Sequence, residues 1–293
     1  MKIERIGTVR CQVGEGPLWD VDEQALYFID LLDRRVWRYD AAAQTFKNWP
    51  VPSMIGAMAL RRDGGAIVAL QDGVHALDLD SGVTSALATP PGLDASVQLN
   101  DGKVDPAGRF VFGSQARSLS ETRPLGALYG MAPDGAVSRL DDMAFTITNG
   151  PCWSPDGGTF YFSDSLPKII YAYDYDVATG AVFNRRKFAD TSVYGGIPDG
   201  ATVDADGRIW VTVCGGGKIV AYLPDGGVDR VIDVPTPFVT SVMFGGVNLD
   251  ELYFTSIDAS VLGMGLPQDA DGGGLFVIKG LGVRGLPERR FAG

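Results

Sequence analysis

The 293-residue sequence predicts an all-β protein, a six-bladed β-propeller with four-stranded antiparallel blades around a central channel. Three observations carry this prediction. No long stretch keeps the 3.6-residue apolar period of a helix, whereas short β-branched and aromatic runs bounded by Gly, Pro, Asp and Asn recur throughout. A turn-then-strand pattern occurs six times: WDVDEQALYFID (19–30), LRRDGGAIVAL (60–70), VDPAGRFVFGS (104–114), WSPDGGTFYFSDS (153–165), VDADGRIWVTV (203–213) and FGGVNLDELYFTS (244–256). The strands after those turns begin near Leu26, Ala66, Arg109, Phe160, Ile209 and Leu252, at intervals of 40 to 51 residues. Regular spacing of that size belongs to a radial repeat; a two-sheet sandwich does not require it, and a linear β-array is the weaker alternative.

Each copy is followed by a second strand pair. In order these are RRVWRYDAAAQTFKNW (34–49), GVHALDLDSGVTSAL (73–87), GALYGMAPDGAVSRL (126–140), KIIYAYDYDVATGAVFNRRKF (168–188), GKIVAYLPDGGVDRVI (217–232) and GGLFVIKGLGVRGLPERRF (273–291). The N-terminal KIERIGTV is expected to complete the last blade as a closing strand. No linker breaks the series, so one domain is expected over 1–293. The longest insertion, SQARSLSETRPL (114–125), follows the third inner strand pair and forms a lid or a surface loop.

Composition removes several function classes. A net charge of −11 is the wrong sign for nucleic acid and for anionic membrane surfaces. Cys11, Cys152 and Cys214 are spaced for neither a disulfide framework nor a zinc site, and read as buried free thiols. The opening MKIERIGTVRCQ has no apolar signal segment, and no run of about 18 apolar residues exists, so a cytoplasmic protein is expected. The single histidine, His75, falls on an outer strand of the second blade with Asp78 nearby and reads as structural, leaving no Ser-His-Asp arrangement. Gly215-Gly216-Gly217 reads as a hairpin turn, and Asp141-Asp142 and Arg185-Arg186 as solvated faces.

Stepping back six residues from each turn reaches Glu15, Gly56, Asn100, Asn149, Asp199 and Thr240. In a propeller these are equivalent positions at the start of the innermost strands, near one mouth of the channel. Five of the six carry a side-chain oxygen and two are carboxylates. Converging carboxylates repel unless protonated or bridged by a cation. An oxygen-rich set without His or Cys suits a hard divalent ion such as calcium, magnesium or manganese. Asn-Gly, Asp-Gly and Glu-Gly pairs ordinarily make turns, but simple turns need not recur at equivalent places.

The motifs GEGPLW (14–19), LNDGKVDPAGRF (99–110), TNGPCWSPDGGTFYFSDS (148–165), IPDGATVDADGRIWV (197–211) and FGGVNLDELYFTS (244–256) resemble the regucalcin/gluconolactonase family in content, order and spacing. The resemblance implies a six-bladed propeller and a divalent-metal-dependent lactonase. It implies Glu15, Asn149 and Asp199 as metal ligands, Asn100 as a substrate contact or a further member of the metal shell, and Asp101 as a substrate contact. Calcium is the favoured ion, with zinc, magnesium, manganese and iron(II) also accommodated by three oxygen ligands.

The chain departs from the family in two places. Gln98 stands where family sugar lactonases often carry arginine, and the loop after the third inner strand offers Ser118 and Glu121 where they often carry an acid. Arginine clamps several sugar hydroxyls, whereas glutamine makes fewer and weaker contacts. Met54, Ile55, Ile147 and Phe238 add apolar character to the mouth. A less polar lactone is therefore expected beside a sugar-derived aldonolactone, with Gln98, Asn100 and Asp101 contacting it and Asp199, or else Asp101, as the base. An organophosphate or aryl-ester hydrolase using the same metal, a non-enzymatic calcium-binding protein and a protein-interaction scaffold are the alternatives. A small-molecule lactone is the expected partner, and the protein a monomer or small homo-oligomer.

Overall fold

Six antiparallel four-stranded sheets form the six blades of a propeller in the computed structural model, which describes residues 1–118, 120–263 and 269–293. The innermost strands are Gly14–Asp20, Ile55–Leu60, Val97–Val104, Thr148–Trp153, Ile197–Val203 and Val239–Gly245. Each pairs with the strand after its turn: Ala25–Asp30, Ala66–Leu70, Phe110–Ala116, Thr159–Asp164, Ile209–Cys214 and Glu251–Ser256. The turn chemistry follows the sequence. In the fourth blade Asp156 Oδ1 accepts from Gly158 N at 3.0 Å and Ser154 Oγ at 2.5 Å, while Gly157 sits at φ +76°, where a side chain would be strained.

Inner strands are buried along their length because both of their faces meet neighbouring blades; the outermost strands face water on one side. The core is therefore a ring of inter-blade seams. Leu18, Tyr27 and Ile29 of the first blade pack on Met58, Val68 and Leu70 of the second. Phe110, Phe112 and Tyr129 of the third pack on Ala57, Ile67 and Ala69 of the second.

The last blade closes as the sequence suggests, but its two ends divide the work differently. Lys2–Arg5 pairs with Phe276–Lys279 and supplies the fourth strand. The second half of 273–291, expected as a strand, is instead an irregular tail that crosses the end of the propeller opposite the mouth. The tail forms isolated bridges, Gly285 to Asp204 and Phe291 to Arg61. Phe291 is 1% exposed and seals the seam between blades two and three.

Three smaller expectations change. Residues 114–116 of the insertion extend the strand Phe110–Ala116, so the loop proper begins at Arg117; Leu119 lies outside the described residues. Asp141 and Arg185 are not merely solvated: Arg185 Nη1 lies 2.6 Å from Asp141 Oδ2, which also accepts from Tyr173 Oη at 2.9 Å, joining blades three and four. His75 Nε2 lies 3.0 Å from Asp72 Oδ1 rather than at Asp78. The three cysteines are free and buried, and Gly215–Gly217 forms the turn before the strand Lys218–Tyr222.

Candidate metal and substrate site

All six ring positions lie in innermost strands, and all six coincide with an irregularity of pairing. The register between the first two strands slips between Glu15 and Leu18, Ile55 and Ala57, Leu99 and Gly102, Asn149 and Cys152, Pro198 and Ala201, and Val239 and Val242. The Glu-Gly, Asn-Gly and Asp-Gly pairs thus belong to β-bulges inside strands rather than to turns between them. A bulge frees a backbone segment from the ladder and re-aims its side chain, here in register around the channel. Gly16 and Gly150 take φ of +49° and +61°. Gly56 is explained by proximity, since a Cβ there would lie 2.4 Å from Leu99 O of the next blade.

The side chains at these bulges are tied differently. Asn149 Nδ2 donates to Ser165 Oγ at 3.0 Å, and Ser165 Oγ in turn donates to Pro198 O at 2.7 Å. Asn149 Oδ1 accepts from Asn100 Nδ2 at 3.0 Å, and Asn100 Nδ2 also reaches Thr148 O at 2.8 Å. The carboxamide of Asn149 is therefore fixed with its oxygen toward Asn100, and that oxygen keeps a second lone pair. Thr240 is different. Its hydroxyl donates to Gly14 O at 2.5 Å and meets Thr255 Oγ1 at 2.9 Å, so it locks the last blade to the first and is not an open ligand.

Three carboxylates are buried here. Glu15 receives a hydrogen bond from Gly16 N at 2.9 Å. Asp101 Oδ1 accepts from Gly102 N at 2.7 Å and Oδ2 from Gly150 N at 2.8 Å. The Cys214 thiol and the Gly200 amide act to lower the Asp199 pKa. Burial, then Asp199 and Asp101, hold the Glu15 carboxyl well above the usual carboxylate range. Burial and then Asp101 do the same to Asp199. Asp101 is raised by burial, against its two amide donors and Lys103. Neither Glu15 nor Asp199 forms an ion pair among the described residues. The nearby base, Lys103, donates to Ala201 O at 3.1 Å and lies 3.7 Å from Glu288 Oε2 of the tail.

This donor set fits a divalent cation. Two unpaired buried carboxylates and one braced amide oxygen, all hard oxygen donors, stand at equivalent ring positions of the first, fourth and fifth blades. No group of three His, Cys, Asp or Glu side chains among the described residues forms a metal cluster by itself. The mixed set has two carboxylates and an amide. Beyond the ring Asp101, Lys103, Ser241 and Glu288 border a cavity of about 20 Å³, room for about one water, and Lys103, Trp153, Thr202, Met243 and Glu288 line another of about 250 Å³.

The remaining expected residues divide. Gln98 is 4% exposed and pairs across the ladder with Gln115. Ile55 is buried, while Met54, Ile147 and Phe238 are partly exposed. Glu121 is held by Arg123, with Nε at 3.0 Å, and is lowered to about 2 by that contact; Ser118 Oγ meets Ser120 Oγ at 2.9 Å. Sequence reasoning missed Ser165, Lys103, Glu288 and the role of Cys214. Ser165 alone carried a signal, because it directly follows the strand paired with the Asn149 strand. Cys214 pairs across the ladder with Ile197, which brings its thiol beside Asp199, and burial, then Asp199 and Glu15, raise its pKa well above the usual thiol value. Burial pushes Cys152 up to about 12, so it is an inert thiol.

Residues 13–258 match the family described as the SMP-30/Gluconolactonase/LRE-like region. The chain is 35% identical to regucalcin from Gallus gallus over 297 aligned positions, covering 100% of this chain and 99% of that protein. Among solved structures, a luciferin-regenerating enzyme superposes with a TM-score of 0.90 at 29% identity, covering 99% of each chain. A calcium-binding protein, regucalcin from Agrobacterium tumefaciens, superposes at 0.89 with 27% identity, over 98% of this chain and 96% of its own.

Proposed function

The chain belongs to the SMP-30/Gluconolactonase/LRE-like family, and from that premise we propose that it is a divalent-metal-dependent lactonase. It opens the ring of a sugar-derived lactone or a less polar relative. The observation that carries this reading is the pair of buried carboxylates, Glu15 and Asp199, held above the usual range by burial and neighbouring carboxylates with no ion pair among the described residues, together with the braced Asn149 amide.

A divalent cation held by those three residues supplies Lewis acidity to an ester carbonyl oxygen and offsets the carboxylate repulsion. The chain's own groups do the rest. Ser165 fixes Asn149, so that its oxygen does not swing away when substrate arrives. Asp199 accepts the proton of the water that adds to the acyl carbon, with the Cys214 thiol favouring its charged form. As the acyl carbon–ring oxygen bond breaks, the proton passes to the departing alkoxide, and the product is a hydroxy acid. Asn100, braced against Thr148, contributes to orienting the lactone. Asp101 has both oxygens committed to backbone amides, which makes it the weaker candidate for the base and a holder of the Gly150 bulge.

The test is hydrolysis of sugar-derived and alkyl lactones by chelator-stripped protein, followed with a pH indicator, with calcium, magnesium, manganese, zinc and iron(II) restored singly. Turnover restored by one ion supports the reading. Ion binding without turnover on any lactone moves the assignment to an aryl-ester or organophosphate hydrolase, and then to a calcium-binding role. The Agrobacterium relative, described as a calcium-binding protein, keeps that last reading in view.

A further inference from the structure

Among the described residues Lys103 is the only basic side chain bordering the water-sized cavity beyond the ring, which Asp101 and Glu288 also border. Lys103 forms no ion pair with Asp101. Its Nζ donates to Ala201 O at 3.1 Å and lies 3.7 Å from Glu288 Oε2. The two side chains are 18% and 9% exposed, so salt screens the pair little. Glu288 belongs to the C-terminal tail, which is fastened on both sides of it. Before it, Gly285 N donates to Leu249 O at 2.8 Å; after it, Phe291 N donates to Leu60 O at 2.8 Å. Arg290 pairs with the buried Asp20. The first-blade turn has Gln24 where the third and fifth have Arg109 and Arg208, so the tail brings the charge that this turn lacks.

We propose that Glu288 is a positioning residue of the ion site: it holds Lys103 away from Asp101, so that the negative charge of the ring is left for a divalent ion. The proposal rests on the ion site of the reading above and not on its reaction. A cavity with room for about one water also admits an ammonium group. With Glu288 neutral, Lys103 Nζ is drawn into that space by Asp101, behind which stand Glu15 and Asp199. An ammonium there repels a divalent cation. It also competes for Asp101 Oδ2, which holds Gly150 N at 2.8 Å beside Asn149. The tail thereby sets ion affinity from the end of the propeller opposite the mouth.

The experiment titrates calcium and manganese by calorimetry into wild-type protein, Glu288→Gln, Glu288→Asp, Lys103→Met, the Glu288→Gln/Lys103→Met double variant and Phe291→Ala. Glu288→Gln should weaken ion affinity by about tenfold or more. Glu288→Asp, which keeps the charge, should retain most of it. Lys103→Met should not weaken affinity, and in that background Glu288→Gln should change it by less than about twofold, because Glu288 acts through Lys103. A loss that persists without Lys103 makes the charge of Glu288 itself the cause and overturns the proposal. So does an equal loss in Phe291→Ala, which loosens the tail without touching the pair. Crystal structures of ion-free wild type and Glu288→Gln give a readout that needs no ion. Lys103 Nζ should reach hydrogen-bond distance of Asp101 in the variant only; an Nζ that keeps its place, or turns toward the larger cavity, overturns the proposal. Wild-type protein that binds neither ion removes the ion site and this role with it, whereas ion binding indifferent to Glu288 removes this role alone. None of these readouts uses turnover, so the lactonase reading stands or falls separately.

Discussion

Asp199→Asn should act in opposite directions on the ion-free and the ion-loaded protein. In the folded chain burial and Asp101 raise the Asp199 pKa well above its ordinary value, whereas in the unfolded chain it titrates normally. Between those two values the folded form holds more protons than the unfolded form. Ion-free stability therefore falls as pH rises through that window, and above it the protein bears the cost of a buried, unpaired charge. Asparagine removes the charge at similar volume. The gain falls in the usual single-substitution range of about 0.5–3 kcal/mol. For 293 residues the unfolding entropy is about 0.6 kcal/mol/K, so the melting temperature should rise by about 1–5 °C. With calcium at a hundred times its Kd, the wild type gains about 2.7 kcal/mol, or about 4 °C, and the variant should gain almost none of it. Calorimetric melts at pH 5.5 and 8, with chelator or with calcium, read all four corners. A calcium-induced rise as large in Asp199→Asn as in wild type would refute its place as a ligand. An ion-free variant less stable than wild type at pH 8 would refute the claim that its charge is uncompensated.

Other consequences are cheaper to test. Ser165→Ala leaves Asn149 Nδ2 and Pro198 O without their bridging hydroxyl, and should weaken ion affinity by about 10- to 100-fold in titration calorimetry. Phe291→Ala should lower stability by about 3–5 kcal/mol, because Phe291 fills the seam between blades two and three, yet leave ion affinity unchanged. Ion affinity itself should weaken as pH falls, since protons compete for carboxylates whose pKa values are all raised; affinity constant between pH 5 and 8 would count against a carboxylate site. Gly200→Ala should destabilise by about 1–3 kcal/mol, because the new Cβ would sit 2.0 Å from Ser241 Oγ of the neighbouring blade.

Blade number, strand starts and ring positions were legible in the sequence because turn chemistry is local. Asp156-Gly157 declares its turn without reference to anything distant. The tail was not legible for the converse reason. Nothing in VRGLPERRFAG alternates like a strand, yet Phe291 N donates to Leu60 O and Ala292 N to Gly108 O, contacts set by sites about 180 residues or more away. The bulges lie between these cases. Asn149-Gly150 and Asp199-Gly200 read equally well as turns or as bulges, and only their equivalence around a ring separates the two.

That separation matters most for the acids, because burial alone does not mark a site. Asp105 and Asp204 are more buried than Asp199, at 0% exposure against 7%. Both belong to a D-x-x-G-R turn that closes on itself. Asp105 accepts from Ala107 N, Arg109 N, Arg109 Nη1 and Tyr175 Oη, and Asp204 from Asp206 N, Arg208 N, Arg208 Nη1 and Trp210 Nε1. An arginine four residues on neutralises each, so these carboxylates are finished structures with nothing left to bind. Glu15 has the Gly16 amide in place of an arginine, and Asp199 has the Gly200 amide and the Cys214 thiol lowering its pKa. The ring positions precede each turn by six residues and the D-x-x-G-R aspartates follow the ring by five, so one repeat carries both kinds of acid. What divides them is the supply of positive charge: the turn brings its own, and no ion pair among the described residues supplies it to Glu15 or Asp199.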